Sequence, residues 1–257
     1  MQQHLLEAKD ICQYFGGVHA VDRFSVHVDE AEILGIIGPN GSGKTTFFNT
    51  LTGAYTPTSG SFFFDGEDIT GLSPHEVVAR GISRTFQNLR TFRTLTVREN
   101  VVVGQHCLGT AGVFGSLFKT GTYRREESSA IHKAEELLYL VGLEQLAGRL
   151  AFELSYGQQK RLELARAMAR ESQLLLLDEP TSGIPSDDAQ ELLNLILRLR
   201  AERGITLIII EHNMRAIRHV VDRVVAMDRG QKICEGSCDH VLSAECVIEA
   251  YLGEEEC

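Results

Sequence analysis

The chain has 257 residues, of which 43% are hydrophobic and 23% are charged, and its formal net charge is −10. This length and composition are typical of a globular protein with one large α/β domain, or with a core that carries a smaller lobe. The acidic balance argues against a nucleic-acid-binding protein that relies on phosphate neutralisation. No apolar run approaches the roughly 18 residues of a membrane span, and the start MQQHLLEAKD has no signal-peptide pattern, so we expect a cytosolic chain.

The six cysteines form no CxxC pair. Cys234 and Cys238 lie close in sequence, but no second pair matches them at the spacing of a zinc site. We therefore expect reduced thiols without a chemical role, in a reducing compartment.

Near the N-terminus, the segments FSVHVDEAE (24–32) and GSFFFDGEDI (60–69) alternate apolar and polar residues and contain turn residues. This pattern predicts antiparallel strands. The runs EILGII (32–37), QLLLLD (173–178) and ITLIIIE (205–211) are instead continuously apolar, which is typical of parallel strands buried on both faces. The sequence therefore predicts two kinds of β-structure in one α/β protein.

The segment GPNGSGKT, which follows the first apolar run, matches the phosphate-binding pattern G-x-x-x-x-G-K-[ST]. A helix over 44–52, ended by Gly53, would follow it, so backbone N–H groups and the positive end of the helix dipole would surround phosphate oxygens. Lys44 would reach the β- and γ-phosphates of a nucleotide, and the hydroxyl of Thr45 would ligate Mg²⁺. The predicted phosphate-binding residues are Gly38, Pro39, Asn40, Gly41, Ser42, Gly43, Lys44, Thr45 and Thr46.

Residues 96–149 are predicted to be mostly helical, with a glycine-rich apolar loop, GTAGVFGSLFKTG, at 109–121. We interpret this part as a helical lobe inserted between two halves of the α/β core. The loop would serve either as a docking surface or as a cover folded on its own lobe.

The segment ELSYGQQKRLELARAMAR (153–170) predicts an amphipathic helix. Ser155 is the expected N-cap, and Gln158 completes a capping box. One stripe carries Leu162, Ala165, Met168 and Ala169, and the polar residues Gln159, Glu163, Arg166 and Arg170 lie opposite. The start of this helix offers free N–H groups beside an exposed Ser and a Gly, which suits an anion.

Acidic residues follow the second apolar run. Asp178 at its end suits a carboxylate that holds Mg²⁺, and Glu179 would face a nucleophilic water. The alternative is a plain capping pair after a strand. His212, after the third run, would hydrogen-bond the γ-phosphate and orient Glu179, because the carboxyl ends of parallel strands converge on the ligand. A helix from Ser186 to about Arg203 is predicted between these two strands.

The motifs GPNGSGKT, LSYGQQKR, LLLLDEP and IIIEHN, in this order, resemble the ATP-binding subunits of ABC transporters over nearly the whole chain. Within that family the chain is most similar to importer ATPases for branched-chain amino acids and related small amides. That similarity rests on YFGGVHAVDRFS, GISRTFQNLRTFRTLTVRENV, VFGSLFKTGTYRREE, LSYGQQ and AYLGEE. Sister ATPases that export lipopolysaccharide end in a similar YLGE, and a soluble ABC ATPase of DNA repair or translation is a further alternative.

The resemblance implies one ABC ATPase domain over 1–257. Its α/β core would comprise 1–95 and 172–257, with an N-terminal antiparallel part. The helical subdomain would span about 96–171, including the helix that Ser155 begins, and would lie on a transmembrane permease at the inner face of the cell membrane. A solute-binding protein would take part indirectly, and no nucleic acid is expected.

Further roles come from the resemblance, position by position. Phe15 matches an aromatic residue that stacks on adenine, although alone it reads as a core aromatic. Gln87 matches the loop glutamine that touches Mg²⁺ and senses the membrane partner. Ser155 and Gly157 match the residues that grip the γ-phosphate of ATP held by a second ATPase subunit, identical or paralogous.

The sequence departs from the family pattern at two positions. Tyr156 stands where the family usually has Gly, and we expect its ring to turn away from the phosphate. Pro185, in TSGIPSDD, stands where the family usually has Asp or Asn. In the family that the chain resembles, this loop acts across the dimer, and here it lacks the usual Asp or Asn.

Overall fold

The computed structural model describes residues 4–85, 91–105, 121–212 and 217–252, with the backbone alone over 121–126. Ten strands are found in these ranges: β1 Leu6–Phe15, β2 Val18–Val28, β3 Ile33–Ile37, β4 Ser59–Phe64, β5 Glu67–Asp68, β6 Ile82–Arg84, β7 Leu174–Asp178, β8 Thr206–Ile210, β9 Arg223–Asp228 and β10 Gln231–Gly236. Eight helices accompany them: α1 Lys44–Leu51, α2 Pro74–Ala79, α3 Val97–Gln105, α4 Gly121–Leu140, α5 Tyr156–Met168, α6 Ser186–Arg203, α7 Cys238–Ser243 and α8 Glu245–Leu252.

The strands form two sheets. The larger sheet has the order β10-β9-β3-β8-β7-β6, and all of its neighbouring pairs are parallel except β10 with β9. The smaller sheet has the order β2-β1-β4-β5, with antiparallel pairs. The predicted α/β class is therefore confirmed, with a mainly parallel core sheet and an N-terminal antiparallel part.

The parallel sheet is buried on both faces, which explains its continuously apolar strands. Along β3, Ile33 and Ile37 join one apolar cluster with the helices of one side, whereas Leu34 and Ile36 join the other cluster. On this second side, the Phe47 ring of α1 lies 4.8 Å from the ring of Phe24 in β2. Helix α1 therefore lies between the two sheets, and its position is fixed from both sides.

The helix predictions hold closely. Helix α6 has the predicted bounds and ends at Gly204, whose φ of 64° is the left-handed conformation that glycine adopts readily. Helix α1 ends at Leu51, one residue earlier than predicted, with Thr52 as its C-cap. Helices α3, α4 and α5 occupy the predicted helical lobe and share one apolar cluster with the parallel sheet. The division of the chain at 96 and 171 stays a prediction.

Helix α5 differs from the simple amphipathic prediction. Ser155 caps it, and Gln158 completes the capping box, as expected. Its polar side is not a solvent face, however, because Glu163 and Lys160 are both only 5% exposed. The helix is covered on both sides, so its charged residues face other parts of the protein.

Two predictions concern segments that the structure does not describe. The apolar loop at 109–121 lies outside the described residues except for its last glycine, and Gln87 lies outside them as well. Within the described ranges, none of the helices combines the length and apolar character needed to cross a bilayer.

Candidate active site

The functional residues lie at one edge of the parallel sheet because the strand registers align them. Ile36 pairs with Ile210, and Ile210 pairs with Asp178, so the three residues form a row across β3, β8 and β7. The phosphate-binding loop GPNGSGKT, called the P-loop below, begins at Gly38, shortly after Ile36. Glu179 follows β7, and His212 follows β8. The carboxyl ends of parallel strands thus bring together a phosphate-binding loop, two carboxylates and an imidazole.

The glycines of the P-loop are required by backbone geometry. Gly38 has a φ of 151°, and an added Cβ would lie 2.0 Å from the carbonyl oxygen of Met227. Gly43 has a φ of 106°, and its added Cβ would lie 2.2 Å from the carbonyl oxygen of Ala20. The loop is therefore pressed against neighbouring backbone in conformations that disfavour any larger residue.

Lys44, the first residue of α1, directs its side chain back into this loop. Its Nζ donates to the carbonyl oxygens of Gly38 and Pro39 at 2.7 Å each, and to Oγ of Ser42 at 3.3 Å. The side chain is only 7% exposed. The structure thus places a cation at the centre of the predicted phosphate cradle, with Thr45 exposed beside it.

Asp178 ends β7 and is held by a residue that the sequence reasoning missed. The Nη2 of Arg84, in β6, donates to Oδ2 of Asp178 at 2.7 Å, and Nη1 donates to Oδ1 of Asn49 at 2.7 Å. The side chains of Arg84 and Asp178 are 8% and 4% exposed. The contact joins β6, β7 and α1, and no local sequence pattern marks Arg84.

Glu179 follows Asp178 in an unusual backbone conformation. Its φ is 48°, a left-handed value that glutamate adopts at an energetic cost, and its N–H donates to the carbonyl of Ile210 at 2.9 Å. Its Oε2 lies 3.7 Å from Nδ1 of His212, which is 55% exposed. The predicted pairing of Glu179 with His212 is thus present as a close approach at the edge of the sheet.

A buried carboxylate, also missed from the sequence, stabilises the loop after Glu179. Glu211 is fully buried and accepts hydrogen bonds from N–H and Oγ1 of Thr181, at 2.9 Å and 2.6 Å. These bonds fix the chain three residues after Asp178. The signal was present as a Glu at the end of β8, but His212 beside it drew the functional interpretation.

Phe15, at the end of β1, is 44% exposed, so the reading as a core aromatic is wrong. Its ring makes an edge-to-face contact with the ring of Tyr55 at 5.1 Å between centroids, and Tyr55 is 40% exposed. The two rings form an exposed aromatic pair, of which only Phe15 was predicted.

The start of α5 contacts the loop that follows Glu179. The Tyr156 ring covers Gly183, since a Cβ added to Gly183 would lie 3.4 Å from that ring. Nζ of Lys160, one turn further on, lies 3.5 Å from the carbonyl oxygen of Glu179. Tyr156 therefore contacts the loop that contains Pro185. These two residues are the departures from the family pattern.

Lys160 is a buried cation in an acidic setting. Burial lowers the pKa of its ammonium, and the carboxylates of Glu163, Glu211 and Glu179 oppose that shift. Its Nζ also lies 5.7 Å from the centre of the Tyr156 ring. The second turn of α5 thus supplies positive charge to the acidic residues near the ends of β7 and β8.

Gly157 has a local reason to be glycine in addition to its predicted role. An added Cβ would lie 2.7 Å from Oδ2 of Asp188, in the first turn of α6. We expect Gly157→Ala to lower the free energy of unfolding by about 1–3 kcal/mol through this overpacking. In an Asp188→Ala background the same substitution should cost less, because Oδ2 and Cγ of Asp188, the two nearest atoms at 2.7 and 3.0 Å, are removed. Thermal unfolding of the two single variants and the double variant measures this coupling. Equal losses in both backgrounds would contradict the contact.

The geometry defines a class of protein. The site combines a glycine-rich phosphate-binding loop and its central lysine with an Asp–Glu pair and a histidine at aligned strand ends. This combination is the active site of a P-loop nucleotide hydrolase. The family profile described as ABC transporter matches residues 21–182. The chain therefore belongs to the ABC transporter family and is an ATP-binding ATPase of that family.

Similar proteins span the same length. The high-affinity branched-chain amino acid transport ATP-binding protein BraF of Pseudomonas aeruginosa is 41% identical over 99% of this chain and 100% of its own. The protein LivG of Escherichia coli, with the same description, is 39% identical over the same shares.

Solved structures of ATP-binding cassettes are similar in fold to this chain. An ABC transporter ATP-binding cassette in its ADP conformation has a TM-score of 0.86 and 37% identity, and the match covers 97% of this chain and 99% of that one. A dimeric cassette in a post-hydrolysis state, bound to ADP and phosphate, has a TM-score of 0.75 and 25% identity, with 91% and 98% covered.

Proposed function

We propose that this chain is the ATP-hydrolysing subunit of an importer for branched-chain amino acids or other small amino acids or amides. The observation that carries the proposal is the aligned row of Ile36, Ile210 and Asp178, which sets Glu179 and His212 beside the P-loop. The substrate class rests on relatives of equal length whose described role is branched-chain amino acid transport.

The nucleotide would lie with its phosphates in the loop from Gly38 to Thr46. Lys44, now bound to the loop carbonyls, would exchange those contacts for the β- and γ-phosphate oxygens, which are stronger acceptors because they are charged. Phe15 and Tyr55 offer exposed aromatic surface to the adenine. These roles use backbone donors, one buried cation and two rings.

The oxygen atoms available as metal ligands at this site suit magnesium. The hydroxyl of Thr45 and the carboxylate of Asp178 are the oxygen ligands that Mg²⁺ prefers, and Gln87 would add an amide oxygen. When bound, the ion neutralises charge on the β- and γ-phosphate oxygens. The protein's own part is to hold these donors in place before the nucleotide arrives.

Glu179 would orient or deprotonate the water that attacks the γ-phosphate in line. Its strained backbone holds the carboxylate at the strand end, and His212 approaches it from the next strand. Nζ of Lys160 lies 3.5 Å from the backbone carbonyl oxygen of Glu179, so a cation lies beside this residue.

Ser155 and Gly157 would act on the nucleotide of a second ATPase subunit. Both lie at the N-terminal end of α5, where backbone N–H groups and the helix dipole favour an anion. Two chains would close head to tail on two ATP molecules, and ADP would favour opening because it lacks the γ-phosphate that bridges them. A cassette of similar fold is dimeric with ADP and phosphate bound.

The helical subdomain, about 96–171, and the Gln87 segment would transmit opening and closing to a transmembrane permease. The protein would thus sit at the inner face of the membrane, and a solute-binding protein would deliver the substrate to the permease. The core would comprise 1–95 and 172–257.

Reconstitution with transmembrane permease subunits of the same organism tests the proposal. We expect leucine, isoleucine or valine, with the solute-binding protein, to raise ATP hydrolysis and to enter proteoliposomes. Stimulation by a lipopolysaccharide precursor, with outward movement, would replace the importer with an exporter. Copurification with nucleic acid in place of membrane subunits would contradict transport altogether.

A further inference from the structure

Arg84 makes a buried junction between three elements of the active site. It ends the edge strand β6, where it pairs in register with Leu176 of β7. Its guanidinium donates at 2.7 Å both to Oδ2 of Asp178 and to Oδ1 of Asn49 in α1. The carbon of the guanidinium also lies 5.4 Å from the centre of the Phe48 ring. Asp178, Asn49 and the Phe48 ring therefore all help to orient this side chain.

The contact with Asn49 matters because of where that residue lies on α1. Thr45 and Asn49 are four residues apart in one helix, so they lie on the same face, one turn apart. Arg84 thus connects the carboxylate of Asp178 to the face of α1 that carries the Thr45 hydroxyl. These are the two described groups whose oxygens would meet Mg²⁺.

The shape of arginine suits this junction. A planar guanidinium presents several N–H donors in fixed directions, whereas an ammonium is a compact point charge. One arginine can bind a carboxylate and an amide oxygen at once and hold both. Oδ2 of Asp178 is engaged in this way, which leaves Oδ1 for the ion or its bound water.

We propose that Arg84 is a positioning residue for magnesium. It holds Asp178 in one orientation and ties it to the face of α1 that carries Thr45, so that both oxygen ligands are in place together. Arg84 itself does not touch the nucleotide or the ion. This inference rests on the proposed function, because it concerns the magnesium of the ATPase site.

The test compares nucleotide binding with and without Mg²⁺ in the full chain. Arg84→Lys keeps the charge but loses the planar guanidinium, whose two Nη groups reach Asp178 and Asn49 in fixed directions. We expect ATP binding in excess EDTA to stay unchanged, whereas the gain in ATP affinity on adding Mg²⁺ should shrink by about tenfold, the lower end of losses for groups that orient metal ligands. The Mg²⁺ concentration that half-saturates hydrolysis should rise by a similar factor.

Arg80→Lys is the matched control. Arg80 follows α2 on the surface, where it forms an exposed ion pair with Glu67, so its replacement should leave both measurements unchanged. If Arg84→Lys does not fold, Asn49→Ala decides: it removes only the second contact of Arg84 and should reduce the Mg²⁺ effect less, in the same direction.

The outcomes separate the inference from the function on which it rests. A folded Arg84→Lys protein with the wild-type response to Mg²⁺ overturns the role of Arg84, and so does an unchanged response in Asn49→Ala. Equal losses of ATP affinity with and without Mg²⁺ would also overturn it, since they would indicate general disruption. Failure of the wild-type chain to bind MgATP would overturn the proposed function instead.

Discussion

Replacement of Glu179 by Gln is expected to leave ATP binding nearly intact while hydrolysis almost stops. The amide keeps the size of the side chain and the strained backbone of the residue, whose φ is 48°. It loses the negative charge and the basicity that orient and deprotonate water. We expect hydrolysis to fall by a factor of about 10²–10⁴, the usual contribution of a general base. The ATP dissociation constant should change by less than about threefold, or about 0.7 kcal/mol.

The same variant should accumulate a dimer. In the proposed cycle ATP closes two subunits and hydrolysis reopens them, so blocking hydrolysis traps the closed form. Size-exclusion chromatography with light scattering should show a dimer in MgATP and a monomer in MgADP. A variant that binds ATP, does not hydrolyse it and stays monomeric would remove the head-to-tail dimer from the mechanism.

Glu171 provides a matched control for Glu179. It lies before β7, as Glu179 lies after it, and it also has a left-handed backbone, with a φ of 57°. Its carboxylate pairs with Lys133 on the surface. Glu171→Gln should therefore hydrolyse ATP at the wild-type rate. If Glu179→Gln also hydrolysed at that rate, Glu179 would have no catalytic part.

The parts of this site that are encoded locally were predictable from the sequence. The P-loop is a contiguous sequence pattern, and its backbone conformation requires glycine. The φ values and close contacts of Gly38 and Gly43 show this requirement. Asp178 and Glu179 directly end a continuously apolar strand. The carboxyl ends of parallel strands lie at the same end of a sheet, so the residues that follow β3, β7 and β8 are expected to meet there.

The parts that depend on distant contacts were not predictable. Arg84 gains its meaning from Asp178, 94 residues later in the chain, and from Asn49 in another helix. The role of Glu211 depends on Thr181, which donates two hydrogen bonds to its carboxylate. Periodicity placed Glu163 on a polar face of α5, but it could not show that this face is covered by other parts of the fold. Gln87 remains a prediction from family resemblance.

Contacts also changed the interpretation of the helix that starts at Ser155. The family resemblance explains Gly157 by contact with a phosphate bound to a second subunit. The structure gives a further reason within the same chain, because a side chain at this position would collide with Asp188. Tyr156 lies over Gly183, in the loop where Pro185 departs from the family pattern. Tyr156 thus contacts the loop that contains Pro185, although the two residues are 29 positions apart in the sequence.

Replacement of Lys44 by Ala is expected to abolish useful nucleotide binding. The residue brings a buried cation to the P-loop, where it now satisfies two carbonyl oxygens and one hydroxyl. Hydrogen bonds from the ammonium to charged phosphate oxygens are stronger than those to neutral carbonyls, so ATP should lose a large part of its binding energy. We expect the ATP dissociation constant, measured by calorimetry, to rise at least about 100-fold, or about 2.8 kcal/mol.

The loss must be separated from collapse of the loop, because Lys44 also holds the loop together. Ser42→Ala removes the 3.3 Å hydrogen bond, which is longer than the two from Lys44 to the loop carbonyls, and should weaken ATP binding far less. Lys9→Ala removes an exposed lysine of β1 and should not change binding at all. A Lys44→Ala protein that unfolds at the wild-type temperature yet has lost ATP binding locates the effect in the phosphate contact. Unchanged ATP affinity in the same folded protein would refute the phosphate cradle, and with it the nucleotide position from which the roles of Asp178 and Glu179 are inferred.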